Sequence, residues 1–204
     1  MSAAVLIATR NEGKLRELIP LFTARGVRAV GLEEWGIAYE EAEDALESFA
    51  TFEENAVAKA RYFYEVSGGV ATVADDSGLQ VEALGGAPGV RSKRWAGATT
   101  GDVDGANNAK LVRELAGKGS RAARYVCAAA YVGLGRELVR RGEVAGEILE
   151  AARGSGGFGY DPYFFAPELE RSFGEASLEA KGAISHRGRA FAALVEAIVA
   201  SESD

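Results

Sequence analysis

The chain has 204 residues, 48% of them hydrophobic and 26% charged, and a formal net charge of −7. That length and apolar share suit one globular domain over residues 1–204, or one domain with a secondary lobe, with a real core, and no apolar run is long enough to span a bilayer. An acidic chain is a poor partner for a polynucleotide backbone, whose binding rests on basic patches, whereas a small anion held by a few converging lysines stays open.

The amino-terminal stretch lacks a basic leader, and the lone Cys127 excludes an intramolecular disulfide. Both favour a reducing, cytoplasmic setting. Residues 3–8, "AAVLIA", are expected to form a buried strand. In "NEGKLRELIPLFTARG" (11–26), Leu15, Leu18 and Phe22 recur at helical spacing, and Gly26 is a stop signal. "VRAVGL" (27–32) returns to strand, and this strand–helix–strand opening indicates an α/β protein. Residues 33–50 are acidic and aperiodic, as in a solvated loop with short turns; Trp35 reads as a packing residue. "TFEENAVAKARYFYEVSGG" (51–69) reads as a helix opened by a Thr51–Glu54 capping box and closed by Gly68 and Gly69.

"VATVA" (70–74) is the next buried strand, and it is expected to end at Asp75 and Asp76 because Ser77 and Gly78 follow at once. "PGVRSKRWAG" is basic, with Trp95 as a packing residue. A helix over 101–119 carries Leu111, Val112 and Leu115, with Asn107, Asn108 and Lys110 as a solvated or capping group. Residues 121–135 and 136–149 read as two strands joined by a glycine-containing turn. Cys127 sits in an alternating apolar segment and reads as core. "GSGGFGYDPYFF" is a glycine-rich loop entering an aromatic strand, and "SHRGRAFAALVEAIVA" is a closing helix with Ser185 as N-cap.

Four groups could carry chemistry. In "ATRNEGK", a strand gives way to a helix whose free N–H groups attract phosphate, with Lys14 adding a full charge and Thr9 and Asn11 adding donors. No Walker glycine pattern is present, and an ordinary turn with a surface lysine fits as well. Thr51, Asn55 and Lys59 share one helix face beside an apolar stripe, which suits a cleft lining or a solvated face. Asp75 and Asp76 repel each other unless a cation sits between them. One can bind a divalent ion while the other orients or deprotonates a water, and Mg2+ takes one or two carboxylates plus waters and substrate phosphates. Strand neighbours point to opposite faces, so both reach one site only if the strand ends there; an Asp-rich turn is the plainer alternative. Finally, Phe158 could stack on a flat base while Lys181, His186 and Arg187 donate to ring carbonyls. A core aromatic loop and a capping turn would explain those residues equally. His186 is the only histidine, so a histidine-cluster metal site is excluded.

Together, "ATRNEGKLREL", "TFEENAVAKAR", "ADDSGLQVEALGGAPGV", "GGFGYDPYFF" and "KGAISHRGRA" resemble the inosine triphosphate pyrophosphatase family, in the family's order and over nearly the whole chain. The resemblance implies an elongated, two-lobed α/β fold: a long mixed central β-sheet flanked by helices, with the active-site cleft between the lobes. It implies Mg2+-dependent hydrolysis of ITP, dITP and XTP to the monophosphate plus pyrophosphate, usually by a homodimer. The family's phosphate loop falls on Thr9, Arg10, Asn11, Glu12, Gly13 and Lys14, and its second phosphate lysine on Lys59, beside Asn55. Its metal acids fall on Glu47 and Asp76, with Asp76 also the general base, Asp75 in support and Ser77 on the substrate. Its base pocket falls on Phe158, Gly159, Tyr160, Asp161, Lys181, Ser185, His186 and Arg187.

The match departs in two places. The segment "EEAEDALESFATFEEN" is longer than usual and lacks a glycine, so Glu43 or Asp44 compete with Glu47 for the metal role. Arg91 and Lys93 stand where tyrosine and alanine are frequent. A pyrophosphatase for other modified nucleotides, such as pyrimidines, or a nucleotide sensor without turnover, are the competing functions.

Overall fold

The computed structural model describes residues 4–200; Ala3, at the start of the first expected strand, lies outside them. The strands are β1 (Val5–Ile7), β2 (Ala29–Gly31), β3 (Thr72–Val81), β4 (Ala122–Gly133), β5 (Arg136–Ile148), β6 (Phe164–Ala166) and β7 (Arg171–Ser172). The helices are α1 (Glu12–Thr23), α2 (Phe52–Val66), α3 (Val103–Leu115), α4 (Leu178–Ile184) and α5 (His186–Ala200). All seven strands join one sheet in the order β2-β1-β3-β4-β5-β6-β7. It is mixed: β1 runs parallel to β2 and β3, whereas β5–β6 and β6–β7 are antiparallel. The α/β class with a mixed central sheet is therefore as expected.

Local chemistry explains most boundaries. The Asn11 side chain accepts from Lys14 N at 3.1 Å and starts α1. Thr51 Oγ1 accepts from Glu54 N at 3.2 Å and donates to Glu54 Oε2 at 2.7 Å, and α2 ends before Gly68 and Gly69, both at positive φ. Leu134 and Gly135, both at positive φ, make the two-residue turn between β4 and β5. The first β1–α1–β2 stretch is a right-sized crossover between parallel neighbours.

The chain divides into two compact units. One comprises Met1–Asp76, Cys127–Gly142 and Arg187–Asp204, the other Ser77–Val126 and Glu143–His186, so β3, β4 and β5 contribute residues to both. The first unit packs Ile7, Leu18, Phe22, Val73, Cys127, Phe191 and Leu194, with Phe22 edge-on to Phe191 at 6.0 Å. The second packs Leu79, Leu111, Leu115, Ile148, Phe164 and Phe173. Each fully buried Leu or Phe of this kind contributes about 1.5–3 kcal/mol. Among the described residues no helix is long and apolar enough to cross a membrane.

Four expectations need correction. The strand does not end at the aspartates: β3 runs through Asp75 and Asp76 to Val81, and both acids are buried. Their charge is met by partners distant in sequence, so the strand need not break to release them. Of the two readings of Asn107 and Asn108, solvated or capping, the solvated one fails: both are buried, and Asn107 donates to the Lys93 carbonyl and accepts from the Ala96 N–H. Trp35 is 39% exposed, while Trp95 packs as expected and lies under the Lys110 ammonium at 4.7 Å. Ser185, expected to N-cap the closing helix, closes α4, which Ser177 caps at its start.

Candidate active site

In the first unit, β1 ends at Ile7 and the chain turns through Thr9 and Asn11 into α1, setting Lys14 on the first helical turn. Thr9 is buried, and its hydroxyl accepts from Asn11 N at 3.2 Å. Glu12 is exposed and Gly13 buried at the same helix start. Lys14 Nζ reaches Asp75 Oδ2 at 3.0 Å. The Asp75 carboxylate also accepts from Arg187 Nε at 3.2 Å, and Arg187 pairs in turn with Glu17. Lys59, on α2, donates to the Asp75 backbone carbonyl at 2.9 Å and pairs with Glu47. Asn55, one turn earlier, donates to Asp76 Oδ2 at 2.8 Å. Strand alternation sends the two neighbouring carboxylates to different partners.

Their proton affinities part accordingly. Burial raises the Asp75 carboxyl, but Lys14, Arg187 and Lys59 outweigh it and hold the group well below the ordinary carboxylate range. Burial also raises the Asp76 carboxyl; there Lys14, Lys59 and the Asn55 hydrogen bond oppose the rise, Glu47 adds to it, and the balance stays above the ordinary value. Burial pulls the Lys59 ammonium down, yet Glu47, Asp75 and Asp76 leave it raised. Two adjacent acids pushed in opposite directions are a recurrent mark of divided roles. Asp75 is held as an anion against Lys14 and Arg187, and Asp76 binds a proton more readily than Asp75 does.

The second unit gathers a different set. Lys181 Nζ meets Asp161 Oδ2 at 2.5 Å, both side chains nearly fully buried. Asp161 Oδ2 also accepts from Phe158 N at 2.9 Å, which curls the glycine-rich loop back on itself. Gly157 is required there: its φ is +73°, and a Cβ would lie 2.1 Å from Asp161 Oδ2. The Lys181 ammonium lies 4.8 Å from the centre of the Phe158 ring and 5.6 Å from that of Phe173. His186 stacks on Tyr125 at 4.6 Å and 7° between planes, and the Tyr125 hydroxyl is 3.4 Å from Asp161 Oδ1. Ser185 is buried in an extended conformation between α4 and α5, its N–H donating to Lys181 O. Tyr160 OH donates to Ser92 O at 2.8 Å; burial first, and Asp104 second, push its phenol well up. Gly159 is held from both sides, its N–H donating to Asp104 Oδ2 at 2.7 Å and its carbonyl accepting from Asn108 Nδ2 at 2.9 Å.

The sequence-predicted residues thus separate into two groups. Lys14, Glu47, Asn55, Lys59, Asp75 and Asp76 meet in the first unit. Phe158, Asp161, Lys181 and His186 meet in the second, where Ser77 lies half-buried on β3. Arg187 was expected with the base pocket; its guanidinium instead engages Glu17 and Asp75 in the first unit. Successive helix residues point about 100° apart, so Arg187 need not follow His186. Arg10 was expected at phosphate, and its guanidinium engages Ile37, Ala38 and Glu43. Of the competing acids, Glu43 is tied to Arg10, whereas Glu47 reaches Lys59. Glu17, Tyr125, Asp104 and Asn108 were missed. Glu17 lies one turn beyond Lys14, a spacing that could have drawn attention to it; the others carry no local signal.

The chain is thus an α/β protein with a mixed sheet, a carboxylate–lysine cluster at a strand-to-helix turn and a buried Lys–Asp pair among aromatic rings. The Ham1 family model matches residues 5–197, so the chain belongs to the Ham1 family. The dITP/XTP pyrophosphatase of Ralstonia nicotianae is 46% identical over 196 residues, 94% of either chain. That of Bordetella pertussis is 45% identical over 201 residues, 97% of this chain and 92% of its own. Among solved structures, a HAM1 protein from Coxiella burnetii aligns with TM-score 0.82 at 34% identity, covering 97% of this chain and 98% of its own. A nucleoside-triphosphatase / dITP/XTP pyrophosphatase from Mycobacterium abscessus aligns with TM-score 0.71 at 43% identity, covering 94% and 98%. The family resemblance carried by the five motifs is borne out.

Proposed function

We propose that the chain hydrolyses aberrant purine nucleoside triphosphates, ITP, dITP and XTP, to the monophosphate and pyrophosphate with Mg2+ as cofactor. It is an enzyme of the nucleoside-triphosphate pyrophosphatase type, the activity its relatives are named for. The observation that carries the reading is the buried pair Asp75 and Asp76, with Lys14 and Lys59 from two helices and Asn55 held against them.

The donor set fits Mg2+. Both candidate ligands, Asp76 and Glu47, offer hard carboxylate oxygens. Four carboxylates, Glu17, Glu47, Asp75 and Asp76, stand against three cations, Lys14, Lys59 and Arg187. Asp76 and Glu47 would hold Mg2+, and when bound it supplies positive charge that stabilises the pyrophosphate leaving group.

The protein's own groups do the rest. Lys14, Lys59 and the N–H groups opening α1 bind the phosphate tail. Asp75, permanently charged, fixes Lys14, and its carbonyl fixes Lys59. Asn55 orients Asp76, which accepts the proton of the water that attacks the α-phosphorus in line. The bond from that phosphorus to the bridging oxygen breaks, and pyrophosphate leaves. Positioning and electrostatics supply most of such a rate enhancement. In the second unit, Phe158 offers a face to the base and Lys181 a donor to the C6 oxygen of hypoxanthine or xanthine. Adenine has an amino group there, leaving the donor unpaired at a cost of about 1–3 kcal/mol. The same reading has residues 1–204 acting as one catalytic domain, as a homodimer, in the cytoplasm.

A panel of ITP, dITP, XTP, ATP, GTP and dUTP with Mg2+ tests this. Inosine and xanthosine substrates should yield monophosphate and pyrophosphate at least ~10-fold faster than ATP. Chelation should abolish turnover, and Mg2+ should restore it. Stepwise release of orthophosphate, or equal rates for ATP, would refute the assignment.

A further inference from the structure

Residues 33–50 contain seven acids and no lysine or arginine. Their only helical element is the short turn Glu41–Ala45, and none of them is buried. Apolar packing therefore does not hold this segment in place. Yet it delivers Glu47 to Lys59.

Polar straps hold it at both ends. On one side, the Arg10 guanidinium makes four hydrogen bonds. Nη1 donates to Ile37 O at 2.9 Å, Nη2 to Ala38 O at 2.9 Å and to Glu43 Oε1 at 2.7 Å, and Nε to Glu43 Oε2 at 3.1 Å. Glu43 in turn accepts from Glu40 N at 3.2 Å and closes the capping box of the Glu41–Ala45 turn. One guanidinium thus fixes the approach to that turn and the acid that caps it. On the other side, Phe49 N donates to Asn55 Oδ1 at 2.9 Å, while Asn55 Nδ2 donates to Asp76 Oδ2 at 2.8 Å. Glu47 lies between the two straps. Such a two-toothed grip on a carboxylate and two carbonyls needs the planar fork of arginine; a lysine is a single point donor.

We infer that Arg10 is a positioning residue: it straps the acidic segment to the strand-to-helix turn so that Glu47 stands where a divalent cation is shared with Asp76. This rests on the proposed function, in which Glu47 and Asp76 hold the metal. Arg10 then acts through Glu47 and does not bind phosphate.

The test uses the full chain with Arg10→Ala, Arg10→Lys and Glu43→Gln. Arg28→Gln is the control, since Arg28 also faces this segment but only through a loose, exposed pair with Glu34 at 3.8 Å. Two readouts are taken. The first is the rate at which a glutamate-specific protease cuts within residues 33–50. The second is the Mg2+ concentration giving half-maximal ITP hydrolysis, together with the ITP-to-ATP rate ratio and the KM for ITP at saturating Mg2+. Arg10→Ala and Glu43→Gln should each speed cleavage several-fold and raise the Mg2+ requirement about 10-fold, the size usual for losing a residue that orients a metal ligand. Combined, they should do little more than either alone. Arg10→Lys should fall between wild type and Arg10→Ala, and Arg28→Gln should match wild type. The ITP-to-ATP ratio and the KM should stay unchanged throughout. Unaltered cleavage in Arg10→Ala, or a raised KM with an unaltered Mg2+ requirement, would overturn the inference. If the wild type hydrolyses no triphosphate, the functional reading fails, while the cleavage readout still judges the strap.

Discussion

The two clusters of candidate site residues solve different problems with different materials. The one in the first unit is charge-dense: Lys14, Lys59 and Arg187 interleave with Glu17, Glu47, Asp75 and Asp76. The one in the second unit buries a single ion pair, Lys181–Asp161, among Phe158, Tyr125, Phe173 and the ring of His186. A tail carrying several charges needs many counter-charges whose mutual repulsion is already balanced. A flat, uncharged base needs a surface to stack on and one or two directed donors. In the proposed function the first cluster has one acid more than it has cations, so a divalent ion is what would make it attractive to a phosphate tail.

The largest expected effect lies in the charge-dense cluster. Asp76→Asn keeps the shape and an acceptor but removes the base, and kcat for ITP should fall by about 10²–10⁴-fold with thermal stability little changed. A loss below threefold would break the division of roles between Asp75 and Asp76. A smaller effect, on stability, separates the same pair by pH. The folded-state pKa of Asp75 is depressed below its ordinary 3.8. Its ion pairs therefore contribute stability that is fully present above that value and drains away as pH falls through the lowered folded value. In metal-free buffer, the wild type should lose thermal stability as pH drops below about 4, and Asp75→Asn should be less stable at neutral pH with a flatter acid slope. Identical slopes would mean that Lys14 and Arg187 do not stabilise the anion.

What could be read from the sequence follows the range of the interactions. Helix α2 was legible because its signals are local: Thr51 caps against Glu54, and Gly68 and Gly69 end it. Lys14, Asn55, Lys59 and the aspartates were legible as candidates because turn, helix face and adjacency are visible in one dimension. The continuation of β3 through Asp75 was not. Two aspartates followed by Ser-Gly look like a strand end; their burial is made tolerable by partners far along the chain, Arg187 112 residues away and Lys14 on Asp75, and Asn55 on Asp76. Arg187 sits beside His186 in sequence, and no local signal announces its pairing with Glu17 and Asp75. Helix α4 has seven residues, too few for a hydrophobic period to register. Arg10 stood inside a phosphate-binding motif, and nothing near it in sequence announces Glu43 as its partner.

The proposed function divides the work: the first-unit cluster handles phosphate and the second-unit cluster discriminates the base. The most direct measurement is the inhibition of ITP hydrolysis by pyrophosphate, with the ITP-to-ATP rate ratio, for the wild type, Lys14→Ala and Lys181→Ala. Lys14→Ala should weaken pyrophosphate inhibition about 10-fold or more and leave the rate ratio intact, whereas Lys181→Ala should leave pyrophosphate inhibition intact and cut the ratio about 10-fold. Both variants shifting both quantities alike, or Lys181→Ala sparing the ratio, would contradict the division on which the functional reading stands.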